Sequence, residues 1–108
     1  MGKFEKALEM KDEDFRRLCG FTKKTMSSMV EILREEYAAK HRRRGRHSKL
    51  DVADMLMLAC KYWREYVTYF SLANEYGIAE STAHGIVKWV EAVLIRSRKF
   101  GLPGKKNS

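Results

Sequence analysis

Apolar side chains recur along this chain at the spacing of amphipathic helices, and no segment reads as a strand. In "DEDFRRLCG" (Asp12 to Gly20) three acidic residues open a short helix, where they suit the positive end of its dipole, and Gly20 can end it. Thr22 then caps a longer helix expected to run to about Lys40. Its Met26, Met29, Val30, Leu33 and Tyr37 keep the i, i+3, i+4, i+7, i+11 rhythm of one buried face. Asp51 caps a third helix, whose expected face is Val52, Met55, Leu56, Ala59, Tyr62 and Trp63. β-Branched Val67 and Thr68 interrupt that run, and Thr68 caps a short fourth helix, Tyr69 to about Tyr76. A fifth is expected from about Glu80 to Ser97, with Ala83, Ile86, Val87, Val90 and Leu94 inside. The pattern predicts an all-α fold: a small helical bundle of about five helices with a C-terminal helix-turn-helix. That domain occupies residues 1–98, and Gly101, Pro103 and Gly104 mark 99–108 as a linker or tail.

The fourth and fifth helices meet at Gly77. A helix-turn-helix joins two helices at roughly 90–120° through three or four residues. Glycine supplies the left-handed backbone such a turn uses. Ala73, four residues before, is small enough for the second helix to cross closely, and Leu72, Tyr76, Ile78, Ala83 and Ile86 can anchor the angle. The plainer reading is an αα-corner in a helical core. If the angle holds, Glu80, Ser81, His84, Gly85 and Lys88 face outward, with Thr82 at the edge. Ser and Thr hydroxyls bond phosphates or either base type, Lys88 suits phosphate or guanine, and His84 can reach a base edge. Glu80 repels phosphate unless it accepts from a cytosine amino group or serves the helix start.

Charge sharpens this picture. The 108 residues carry a net +8 and are 44% hydrophobic, enough for one domain with one core. Residues 1–39 balance eight basic against eight acidic side chains, whereas 40–49, "KHRRRGRHSK", carry six basic and none acidic. The excess therefore sits in an exposed basic loop, 41–49, and in the tail, a focus that suits a polyanion better than diffuse charge does. No apolar run approaches the roughly 18 residues of a membrane span, and no secretory signal opens the chain, so a cytoplasmic, nucleoid-associated protein with no membrane partner is expected. Cys19 and Cys60 stand singly, without disulfide or zinc spacing, and read as reduced core thiols.

Several linked motifs carry a resemblance. "REY-TYF" (Arg64 to Phe70), "YGI-EST" (Tyr76 to Thr82), "WVE" (Trp89 to Glu91) and "LPGKK" (Leu102 to Lys106) closely resemble the N-terminal helix-turn-helix domain of bacterial insertion-sequence transposases. "FRRLCGFTKKTMSSMVEIL" (Phe15 to Leu33) is similar more loosely. In that family the module precedes a DDE-type nuclease domain, so the resemblance implies recognition of duplex DNA at element ends. The chain departs from the family at Gly85, usually basic, at Val67, often Arg, and at Ala79, usually a polar cap.

In this setting Arg42, Arg43, Arg44, Arg46 and Lys49 are expected to clamp phosphates beside the reading helix; the alternative is a solvated loop. Tyr62, Trp63, Tyr66, Tyr69, Phe70 and Trp89 could stack single-stranded bases, but their helical spacing favours core or protein interface, with Trp89 at an edge or dimer contact. No catalytic residue, metal site or cofactor is expected. Asp12, Glu13 and Asp14 read as a helix start, Glu35 and Glu36 as a solvated face, and Asp51 and Asp54 as a capping pair. His41 and His47 lie among arginines, which disfavours bound cations. The expectation is a non-enzymatic DNA-binding domain or subunit of a transposase, positioning a DDE nuclease domain or second polypeptide, with a homodimer open. "LPGKKNS" fits a first reading frame or a truncated chain. The rivals are a helical module that dimerises or inhibits a transposase, and a small transcriptional repressor.

Overall fold

The computed structural model describes residues 3–40 and 50–97. Six helices follow in chain order: α1 (Lys3–Leu8), α2 (Asp12–Cys19), α3 (Lys23–Lys40), α4 (Val52–Glu65), α5 (Tyr69–Tyr76) and α6 (Glu80–Ser97). No strand occurs among the described residues, so the all-α expectation holds with one helix more than the pattern predicted. The extra helix, α1, buries only Phe4 and Ala7 among charged neighbours, too short a run to register as periodic. The tail, 99–108, lies outside the described residues.

The bundle is organised around α4, which packs against all five other helices. A helix surrounded in this way is apolar all round. That is why Ala53, Met57, Leu58 and Cys60 are buried in addition to the expected face. Phe15, Met26, Leu33, Leu56, Leu72 and Leu94 are fully shielded from solvent. Burying each such side chain contributes roughly 1.5–3 kcal/mol.

The predicted helix ends are present. Gly20 adopts φ 90°, and its N–H donates to the Arg16 carbonyl. A β-carbon at Gly20 would also meet Arg64 Cδ and Nη1 at 3.1 Å, so the glycine lets the end of α4 pass close by. Thr22 Oγ1 accepts from the Thr25 N–H at 3.2 Å, and Asp51 accepts from the Ala53 N–H at 3.3 Å. Asp54 does not join Asp51 in capping; its carboxylate accepts from the Phe4 N–H at 3.5 Å and holds α1 against α4. α4 stops at Tyr66, whose φ of 53° is the one positive value outside glycine among the described residues.

Cys19 and Cys60 are free and buried, as expected. Each thiol points at a methionine sulfur 3.8 Å away, Met57 and Met26 respectively. Burial pushes the Cys19 thiol from its ordinary 9.0 up to about 11, and the Cys60 thiol in the same direction. No helix among the described residues is long and apolar enough to cross a membrane.

Candidate nucleic-acid interface

The angle between α5 and α6 is set by backbone chemistry. Thr68 Oγ1 accepts from the Ser71 N–H at 3.0 Å and starts α5. Gly77, at φ 70° and ψ 37°, ends it with its N–H on the Ala73 carbonyl. The same carbonyl accepts from the Ile78 N–H at 3.0 Å. Three residues, Gly77 to Ala79, separate the two helices. Leu72, Ala73, Ala83 and Ile86 are buried around the bend, and Tyr76 and Ile78 are half-buried. The set expected to pack the turn is therefore brought together.

The outward ridge is present as well. Ala83, Ile86, Val87, Val90, Val93 and Leu94 turn inward, and Glu80, Ser81, Thr82, His84, Gly85 and Lys88 are all exposed. At 3.6 residues per turn, Ser81, His84, Gly85 and Lys88 fall on one strip, flanked by Glu80 on one side and Thr82 on the other.

One feature of this surface has no precedent in the periodicity. Tyr69, Glu80, Ser81 and His84 line an open hollow of about 520 Å³ where α5 meets the first turn of α6. The Tyr69 ring meets the His84 imidazole edge-on, centroids 4.9 Å apart. It also lies parallel on Tyr62 at 4.7 Å. Burial and the hydrogen bond with Tyr62 push the Tyr69 phenol far above its ordinary range. Sequence spacing grouped Tyr69 with core or interface aromatics. The lining comes from two helices, so only the fold brings it together.

The other aromatics divide. Trp63 is buried and its indole N–H donates to Glu91 Oε2 at 2.8 Å. Trp89 is half-buried against Tyr37, centroids 6.0 Å apart, at an edge as expected. Tyr66 and Phe70, at 76% and 62% exposure, are not core residues, because the corner between α4 and α5 turns both side chains into solvent.

Arg42, Arg43, Arg44, Arg46 and Lys49, with His41 and His47, lie outside the described residues. The flanks of that segment are described: Arg34 pairs with Asp51 at 3.5 Å, and Glu36 pairs with Arg96 of α6 at 2.9 Å. With Tyr37 against Trp89, the last turns of α3 lie beside the second half of α6. Among the described residues no three His, Cys, Asp or Glu side chains gather as metal ligands.

Comparison with known proteins agrees with this geometry. The family model for the helix-turn-helix of DDE superfamily endonuclease matches residues 48–100, which include α4, α5 and α6. The chain is 38% identical over 104 residues to the "Probable transposase for insertion sequence element IS702" of Microchaete diplosiphon. That alignment covers 96% of this chain and 37% of the relative, so the chain spans well under half the length of the curated protein it matches. No solved structure matches it. A glycine-hinged pair of helices with an outward polar ridge, and these two likenesses, lead to one conclusion: residues 48–100 belong to the helix-turn-helix family of the DDE superfamily endonucleases, and the chain is homologous to an insertion-sequence transposase.

Proposed function

We propose that this chain reads duplex DNA at the ends of an insertion sequence and positions a DDE nuclease domain. The observation that carries the reading is the strip Ser81, His84 and Lys88, with Thr82 beside it, exposed at the start of α6 directly after the Gly77 turn. An α-helix with its side chains is about 10–12 Å across, close to the roughly 12 Å width of the major groove. In that pose Ser81, Thr82 and His84 meet base edges or phosphates and Lys88 meets phosphate or guanine. Arg42, Arg43, Arg44, Arg46 and Lys49 clamp the backbone alongside. The nuclease domain belongs either to the same polypeptide or to a second one.

A titration of binding to random duplex against salt tests this. Neutralising about five phosphates gives a slope of log K on log salt near −4 to −5. Replacing the four arginines of the basic loop by serine should flatten it by about 3 to 4. An unchanged slope and affinity would remove the loop from the interface, and salt-independent binding would remove DNA altogether. Footprinting on the terminal repeats separates transposition from transcriptional repression.

The second reading, a module that dimerises or inhibits a transposase, is favoured by Tyr66 and Phe70, both exposed at one corner. Sedimentation of the wild-type chain and of Tyr66→Ser/Phe70→Ser distinguishes it, since only this reading ties self-association to those two rings.

A further inference from the structure

Four base edges present four different patterns in the major groove, and a carboxylate discriminates among them by repulsion as much as by attraction. Guanine shows two acceptors, adenine an acceptor beside its amino donor, and thymine an acceptor beside a methyl group. Cytosine alone shows a donor, its 4-amino group, next to an apolar C5–H edge with no acceptor.

The hollow at the mouth of the reading helix has the complementary composition. Glu80 is exposed on its rim, and no ion pair or hydrogen bond among the described residues engages its carboxylate. The Tyr69 ring lines the hollow as a wall held in place by its stack on Tyr62 at 4.7 Å and its edge contact with His84 at 4.9 Å. A fixed apolar wall beside an unengaged carboxylate matches a pyrimidine that carries a donor.

We propose that Glu80 and Tyr69 form a cytosine-selective subsite: the carboxylate accepts from the 4-amino group while the C5–C6 edge rests against the Tyr69 ring. The proposal rests on the DNA-reading function above and adds the base it selects. It also gives a role to a negative charge that stands where phosphate contact alone would disfavour it. Ser81, next along the rim, has a hydroxyl that bonds donors and acceptors alike, so selectivity at this position falls to Glu80.

The test is selection from a randomised duplex pool by the wild-type chain and by Glu80→Ala, an exposed substitution whose fold is checked by circular dichroism. The wild type is expected to fix cytosine at one position of its selected site. Glu80→Ala should bind the unselected pool at least as tightly, having lost a negative charge, while cytosine preference at that position falls about tenfold. A second arm changes the DNA alone. Replacing that cytosine in the selected duplex by its analogue without the 4-amino group should weaken wild-type binding about tenfold and leave Glu80→Ala unmoved. Identical base preferences in the two proteins, or a Glu80-dependent position occupied by any other base, would overturn the subsite while leaving duplex binding intact. Failure of the wild type to bind the pool in a salt-dependent way would instead overturn the DNA-reading function, and the subsite with it.

Discussion

Tyr69 of α5 and His84 of α6 meet edge to face, 4.9 Å between centroids and 79° between planes, so the first helix of the motif braces a side chain on the outward face of the second. Aromatic contacts of this kind contribute about 0.5–1.5 kcal/mol beyond their buried area. Tyr69→Phe keeps the ring and should retain duplex affinity within about twofold, while Tyr69→Leu should lose about 1 kcal/mol of stability and loosen His84. Paired urea titrations and binding isotherms check this. Equal losses in the two variants would mean that the hydroxyl, not the ring, matters.

Gly77→Ala should cost about 1–2 kcal/mol, because a β-carbon at φ 70° crowds the following carbonyl. Gly77→Asn should cost less, since asparagine tolerates the left-handed region. The readout is the denaturation midpoint. A neutral Gly77→Ala would mean that the bend does not depend on left-handed backbone.

Gly85 lies within α6 on the exposed strip, with nothing within 4 Å of where a β-carbon would stand. Gly85→Ala should therefore raise stability by about 0.8–1 kcal/mol. Gly85→Arg should add a phosphate contact, tightening duplex binding and steepening its salt slope by about 1. A stabilised variant with an unchanged slope would place the strip away from the duplex.

Alkaline pH should weaken the fold. Burial raises the Cys19 thiol to about 11 from 9.0, so above pH 9 the unfolded chain loses its proton while the folded one keeps it. This thiol's contribution is full below pH 9 and declines through about pH 11, at up to about 1.4 kcal/mol per pH unit. Cys60 shifts the same way and adds to the loss. Urea midpoints between pH 8 and 10.5 measure it, and Cys19→Ala should flatten part of the slope. A level profile to pH 10.5 would contradict the burial argument.

Much of this molecule was legible in its sequence where chemistry is local. Thr68, Gly77 and the stripe from Ala83 to Leu94 mark α5 and α6 at the ends observed, because capping oxygens, left-handed glycine and helical period act within a few residues. Thr22 and Asp51 were legible for the same reason. What depends on distant partners was not. α1 is held through Asp54, fifty residues away, and the extra buried residues of α4 reflect neighbours on every side. Tyr66 ends α4 in a conformation that its side chain does not favour, and no local signal marks it. The exposed strip was readable from period alone; the Tyr69–Glu80 hollow needed two helices in register.

The Ala73 carbonyl receives two amide protons, from Gly77 and from Ile78, and both donors belong to the main chain. The turn between the two helices is thus closed by main-chain hydrogen bonds, and of the outward-facing residues His84 also packs on the first helix, through Tyr69. A change of target can proceed by exchanging Glu80, Ser81, Thr82 or Lys88 one at a time, with little effect on the scaffold, whereas exchanging His84 also removes its contact with Tyr69. An inserted residue in the turn behaves in the opposite way: it leaves every outward side chain intact but breaks the hydrogen bond from Ile78 to Ala73 that ties the start of α6 to α5.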